Sequence, residues 1–391
     1  MRIIQYCQHV LGIGHYFRSL EIARALHRHE ILLVTGGPPL EVNLPSHVTE
    51  YRLPGLQMDG AFTVVSPTDA NRSLDEVKEE RKTLLYSLFE KTSPDLFLIE
   101  LYPFGRKSFG FEILPLLEAI HRGDSSSTKV VCSLRDILVE KKSQKTYEQR
   151  VLDVLNKYFD GLLVHADETL ISLGETFESS DRIKIPVVYT GFVTPRPKAD
   201  RGREVRTRLG LKGDEALVVA SAGGGRVGEG LLRAVVEAYA RLTGEGRLRL
   251  CVFTGPFMVE ADFLALADRV ASLPGAQLER FTDDFLSYLA AADLSVSMAG
   301  YNTCMNILAA GVPSLVFPFA QNREQRIRAE KLAALGGLSL LKEEDLEPSR
   351  LATLMAEVLN SGIKPVRVPV NLDGARETAR WLEHWHESTS S

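Results

Sequence analysis

The chain has 391 residues, of which 45% are hydrophobic and 25% charged, with 46 basic and 51 acidic side chains giving a net charge of −5. That apolar content excludes a disordered chain and supports two or three domain cores, while 30 Gly, 18 Pro and 4 Cys exclude collagen-like and disulfide-scaffold classes. The acidic balance argues against a protein that grips a nucleic-acid backbone along its length.

Cys7, Cys132, Cys251 and Cys304 are widely spaced with no CxxC pair, so they are expected as buried core residues rather than a zinc site or disulfide framework. Polar residues interrupt the N-terminus too early for a signal-peptide apolar region, and no window approaches a membrane span. A reduced, cytoplasmic protein is the expectation.

In chain order, residues 3–10 read as a strand, and 12–26 as a loop and a helix whose apolar positions are Phe17, Leu20, Ala23 and Leu26. Strands follow at 31–34, at 96–99 ending on Glu100, at 130–134 and at 162–165. Short apolar runs alternating with helical periodicity are the pattern of βα units and a parallel sheet. Residues 1–190 are therefore expected as one doubly wound domain. The stretch 191–212 holds Gly191, Pro195, Pro197 and an arginine-rich run from Arg196 to Lys212, and reads as a linker. The alternation then restarts, with strands at 217–220, 248–253, 278–281, 294–297 and 314–317. Helices are expected at 230–242, 262–272, 285–292, 302–310 and 324–335. This second α/β domain spans 213–370. Residues 371–391 carry Trp381 and Trp385 on one helical face and are expected to form a bridging helix packing back toward the first domain.

Three stretches offer chemistry. Gly12-Ile13-Gly14-His15 follows the first strand and opens a helix, where backbone N–H groups and the helix N-terminus favour an anionic or sugar ligand. Phe17 stands where a dinucleotide fingerprint needs its third glycine, which weakens a nicotinamide reading. Gly223-Gly224-Gly225 lies between a strand and a helix and could cradle a diphosphate, but no GK[ST] follows it. In the third, a strand ends in small residues and Gly300 opens a helix whose first turn carries Asn302 and Thr303; the next strand leads into a polar loop reaching Gln325.

Together these motifs resemble the nucleotide-sugar-dependent glycosyltransferases of the GT-B fold, in particular the MurG-like branch. The segments Pro103-Phe104-Gly105-Arg106 and Ser133-Leu134-Arg135-Asp136 resemble a related group of predicted glycosyltransferases. The resemblance implies two Rossmann-like α/β domains facing a cleft. It also implies donor binding by Gly12, Gly14, Gly223, Gly224, Gly225, Gly300, Asn302, Thr303, Asn306 and Gln325. Asn306 stands where the family places a ribose-binding glutamate, and Gln325 where it contacts the donor sugar.

An inverting transfer needs a base and a stabiliser for the departing diphosphate. His15 is the leading base, with Glu100 and Asp136, each at a strand end, as competitors; either carboxylate could instead pair with Arg106 or Arg135. Asp283-Asp284 precede a helix and read as caps, and no metal or cofactor is expected beyond the nucleotide-sugar co-substrate. The acceptor is open between a lipid-linked molecule and a small metabolite. Residues 104–120 mix apolar and basic side chains and could either meet a membrane surface or form a helix packed on its own sheet. Two further readings remain: a nucleotide-sugar hydrolase or epimerase on the same scaffold, and a non-catalytic nucleotide-sugar-binding protein.

Overall fold

The computed structural model describes all residues except 10–12, 38–39, 41, 59–64, 124–127, 140, 142, 214, 243–246, 363–366 and 390–391. The chain forms two compact units, one of Met1–Val193 with Val370–Ser391, the other of Thr194–Pro369.

The first unit contains β1 (Arg2–Tyr6), β2 (Glu30–Thr35), β3 (Val48–Arg52), a small antiparallel pair β4 (Leu56–Met58) and β5 (Val65–Pro67), β6 (Leu96–Glu100), β7 (Lys129–Arg135), β8 (Gly161–His165) and β9 (Val187–Tyr189). Its helices are α1 (Gly14–Ala25), α2 (Leu74–Thr92), α3 (Gly110–Arg122) and α4 (Gln144–Tyr158). Seven strands make one parallel sheet in the order β3-β2-β1-β6-β7-β8-β9. Every residue of β6 and β8 is buried, as a parallel sheet covered on both faces requires. The first strand ends at Tyr6, so the expected strand at 3–10 is cut short and Cys7, Gln8 and His9 continue as buried irregular chain. Helix α2 starts on a capping box, Ser73 accepting the Glu76 N–H while the Glu76 carboxylate returns to the Ser73 N–H.

The second unit contains α5 (Arg201–Arg208), β10 (Ala216–Ser221), α6 (Glu229–Leu242), β11 (Leu248–Phe253), α7 (Glu260–Ala271), β12 (Ala276–Glu279), α8 (Phe285–Ala291), β13 (Leu294–Met298), α9 (Tyr301–Ala310), β14 (Ser314–Phe317), α10 (Arg323–Ala334), β15 (Ser339–Leu340) and α11 (Pro348–Asn360). Its parallel sheet runs β12-β11-β10-β13-β14-β15. Within the stretch expected as a linker, α5 is an ordered helix. Arg206 donates to the Ala291 and Glu215 carbonyls and pairs with Asp293, and Arg208 lies over the Tyr288 ring. The arginine run thus docks α5 beside α8, which is work for its charges inside the protein. Asp284 begins α8 and accepts the Ser287 hydroxyl.

The chain returns to the first unit through α12 (Gly374–Thr389). Phe192 and Gly374 are tied by Phe192 N–H to Asn371 O (2.8 Å) and Gly374 N–H to Phe192 O (3.0 Å). The Trp381 and Trp385 rings stack at 4.8 Å; Trp381 lies against Gly161 where a Cβ would already be 3.0 Å from its ring, and Glu383 pairs with His29. Of the two readings of residues 104–120, the structure shows the packed helix: Phe104, Phe109, Ile113 and Leu117 are buried, and α3 packs on α2. All four cysteines are buried. Among the described residues no helix is long and apolar enough to cross a membrane.

A buried ionic network locks β1 to two helices. Arg81 of α2 and Glu112 of α3, both fully buried, form a bidentate pair at 2.6 and 2.8 Å. Tyr6 donates to the same carboxylate, and Arg81 also donates to Gln8 Oε1 (3.0 Å) and the Pro54 carbonyl (2.7 Å). Gly36 is required beside it, because a Cβ there would lie 2.2 Å from Arg81 Nη1. Glu112→Ala should destabilise the first unit by about 3–5 kcal/mol, since it strands a buried guanidinium. Denaturant unfolding measures this; a loss below about 1 kcal/mol would show that the network carries no such load.

Candidate functional site

Both sheets reverse their strand order once. In the first unit the chain winds outward from β1 through β2 to β3, then returns to β6 on the other side; in the second it winds from β10 to β12 and returns to β13. The crossovers diverge at these two points, leaving the carboxyl ends of β1/β6 and of β10/β13 uncovered, which is where open α/β sheets bind ligands.

At the first point, α1 follows β1 and brings His15 to the Glu100 carboxylate that ends β6. His15 Nδ1 lies 2.6 Å from Glu100 Oε1, and Arg18 Nη2 lies 2.5 Å from the same oxygen. Arg18 is one helical turn beyond His15, on the same face. Arg106 follows from the loop after β6, its Nε 3.7 Å from Glu100 Oε2. Glu100 is 1% exposed and His15 20%. Burial opposes ionisation of Glu100, but its hydrogen bond to His15 and the two guanidiniums hold its pKa far below the usual carboxylate range. His15 is pushed down to about 3, mainly by burial and further by Arg106 and Arg18, against the opposing pull of Glu100. A carboxylate only accepts hydrogen bonds, so the neutral imidazole places its proton on Nδ1 and its lone pair on Nε2.

The three sequence candidates for a base thus take different places. Glu100 is the partner of His15 rather than its competitor. Asp136 is fully buried after β7, with Oδ1 accepting the Ile137 N–H (2.8 Å). Behind this cluster His165, also fully buried, contacts Ser133 Oγ (2.7 Å) and Thr190 Oγ1 (2.9 Å), and burial lowers it to about 3. Gly14 opens α1, whose N-cap Ile13 provides no side-chain acceptor; Gly12 lies outside the described residues.

At the second point two backbone features converge. The Gly223–Gly225 loop packs on the turn after β11, where a Cβ on Gly255 would fall 2.4 Å from the Gly223 carbonyl oxygen; Gly225 (φ +88°) and Gly255 (φ +85°) occupy the region that glycine tolerates. The Gly223 N–H turns to Ser221 Oγ and that of Gly225 to the Ala222 carbonyl, while the Gly224 carbonyl accepts the Phe257 N–H. Gly300 is the N-cap of α9 and contributes no side-chain acceptor. Cβ atoms on Gly223 and Gly300 would lie 3.8 and 3.7 Å from the same Thr303 hydroxyl, which sets the loop and the helix N-terminus side by side. Such a pairing of amide donors and helix dipole suits an anion. Asn302 shares the first turn of α9. Asn306 Oδ1 accepts the Thr194 hydroxyl at 2.9 Å, so half of its amide is already engaged. Gln325, in the first turn of α10, accepts the Phe319 N–H through Oε1 at 3.2 Å.

Two arginines belong to these sites although sequence reasoning assigned them no role. Arg18 had a signal, its one-turn spacing from His15. Arg328 had none: on a mostly polar helix it is nonetheless fully buried, with Nη1 3.4 Å from the Ala299 carbonyl and its guanidinium 5.4 Å from the Tyr301 ring, beneath the start of α9.

The two units together have the GT-B fold of nucleotide-sugar glycosyltransferases. CalG4, the calicheamicin glycosyltransferase, aligns over 100% of this chain and 95% of its own at 19% identity (TM-score 0.56), and MurG of Acinetobacter baumannii over 99% and 98% at 17% (TM-score 0.52). More particularly, residues 218–371 match the glycosyltransferase family 28 C-terminal domain, which places the β10/β13 site within that domain. A relative from Acidothermus cellulolyticus, named UDP-N-acetylglucosamine–N-acetylmuramyl-(pentapeptide) pyrophosphoryl-undecaprenol N-acetylglucosamine transferase, is 31% identical over 180 residues, 46% of this chain and 45% of that protein. The chain spans about half the length of the curated relatives it matches.

These two imidazoles make stability fall in acid. Once unfolded, His15 and His165 bind protons at about 6.5, whereas folded they resist down to about 3. The unfolded state therefore holds more protons throughout that window, and stability drops as pH falls through it. Denaturation midpoints should decline between pH about 7.5 and 5.5, by about 1 kcal/mol per imidazole. An unchanged midpoint would contradict the lowered proton affinity of both rings.

Proposed function

We propose that this chain transfers a sugar from a nucleotide-diphosphate donor to an acceptor hydroxyl by a single, inverting displacement, with His15 as general base and the β10/β13 site as donor cradle. The observation that carries the reading is the His15–Glu100 contact of 2.6 Å, which leaves Nε2 as a proton acceptor at a ligand-binding strand end.

In this reaction the acceptor oxygen gives its proton to His15 Nε2 and forms a bond to the anomeric carbon, while that carbon's bond to the donor phosphate oxygen breaks. The electron pair leaves with the diphosphate, and the charge developing there falls on the Gly224 N–H and the first turn of α9. These donors are preorganised by the close packing of Gly223, Gly225 and Gly255. Glu100 holds the imidazole in its tautomer and offsets the positive charge that the ring acquires. The relative and the structural neighbours named above are glycosyltransferases, which supports the same reaction class.

Charge on the leaving group is met by backbone and helix dipole in this mechanism, so turnover should withstand EDTA. His15→Ala should lower kcat by at least about 100-fold while leaving donor binding within a factor of about two, the scale of a lost general base. Thermal shift against UDP-, dTDP-, GDP- and ADP-linked sugars tests the donor site, since a ligand of the native state raises its stability. A flat screen would overturn the donor assignment. Release of free sugar without an acceptor would assign water as the acceptor and make the protein a hydrolase.

A further inference from the structure

The Glu100 carboxylate is surrounded by more positive charge than it needs. Oε1 receives both His15 and Arg18, an arrangement sufficient to fix the imidazole. Oε2 faces Arg106 at 3.7 Å, too far for a hydrogen bond; Glu100 Oε2 and Arg106 Nε are both buried, and among the described residues neither has a hydrogen-bond partner. A second guanidinium is thus held against the carboxylate by charge alone, with its side chain 10% exposed.

The loop that carries Arg106 is built to hold it there. Leu101 (φ +68°) and Arg106 (φ +57°) are both left-handed without being glycine, a conformation that costs about 1 kcal/mol or more per residue. The Gly105 N–H returns to the Leu101 carbonyl at 2.8 Å, and a Cβ on Gly105 would strike the Leu101 side chain at 2.7 Å. Tyr147 clamps the Phe104 carbonyl at 2.8 Å, and Phe104 packs edge-on against Phe177. The backbone accepts local strain and the loop core is anchored, while Arg106 itself makes no other ion pair among the described residues.

We propose that Arg106 is a positioning residue that sets the proton affinity of His15: acting across the shared carboxylate, its charge lowers that affinity and keeps the resting imidazole neutral. One carboxyl group separates the two side chains. Arg18 on α1 adds to this charge from Oε1 and lies 3.2 Å from His15 Nδ1, whereas Cys7 after β1 is a neutral thiol pushed up to about 12 by burial and His165 on β8 is a buried neutral ring. With His15 neutral, two guanidiniums face one carboxylate, and the excess positive charge disfavours imidazolium in the resting protein.

The inference rests on His15 being the base, and its test is read without turnover. The His15 ring is followed by NMR from pH about 8 down to the acid limit of the folded state in the wild type, R106M and R106K, with the signal assigned by its loss in H15Q. R106M keeps the aliphatic stem and removes the charge, so the ring should titrate about 1–3 units higher than in the wild type, the usual reach of a nearby charge. R106K keeps the charge and changes the shape, so the ring should stay neutral as in the wild type. A rise in both variants would mean that Arg106 only packs the loop, and a rise in neither would mean that its charge does not reach His15; either result overturns the proposal. Turnover retained in His15→Ala would instead overturn the base assignment and leave the ring titration standing. Should R106M fail to fold, R106Q supplies the neutral variant.

Discussion

A parallel sheet wound outward in both directions from one central strand pair has two crossovers that leave that pair on opposite faces. The backbone at the pair's carboxyl ends then has nothing of its own fold to cover it. Everything of chemical interest in this protein follows from that constraint, applied twice. In the first unit it sets α1 and the end of β6 together and so makes His15 and Glu100 neighbours; in the second it sets the glycine loop beside the start of α9.

The two sites use the same topology for opposite electrostatics. The second offers neutral donors: a backbone N–H, the N-terminus of a helix opened by glycine, and a threonine hydroxyl shared between them. The first buries full charges, which is affordable only because Glu100 is met by two guanidiniums and an imidazole. Dipoles suit a group whose charge arrives and leaves with a ligand, whereas a buried ionised carboxylate suits a side chain that must keep one tautomer through a reaction.

The supporting structure is correspondingly stiff beneath the sites. Tyr6 and Gln8, just before the α1 turn, are held by the buried Arg81–Glu112 pair, and the loop after β6 is anchored by Tyr147 and Phe177. On the donor side, Arg328 grips the Ala299 carbonyl one residue before Gly300. In each case a long polar side chain fixes a backbone segment from within the protein.

The sequence by itself determined the alternation of βα units, the point where it restarts in the second half, and the placing of His15, Gly223–Gly225 and Gly300–Thr303 at strand-to-helix turns. These are local properties, written in apolar runs and glycines over spans of ten residues or fewer. Only the tertiary structure decided the ion pairs. His15 and Glu100 are 85 positions apart, and Glu100 changed from rival base to partner only when β1 and β6 became neighbours. Likewise Arg18, Arg81 and Arg328 sit on helices where a charged residue ordinarily faces water, and a carboxylate or carbonyl supplied by a distant strand, helix or turn draws each one inward. Strand pairing sets which residues share a charge, and it depends on contacts across the whole unit.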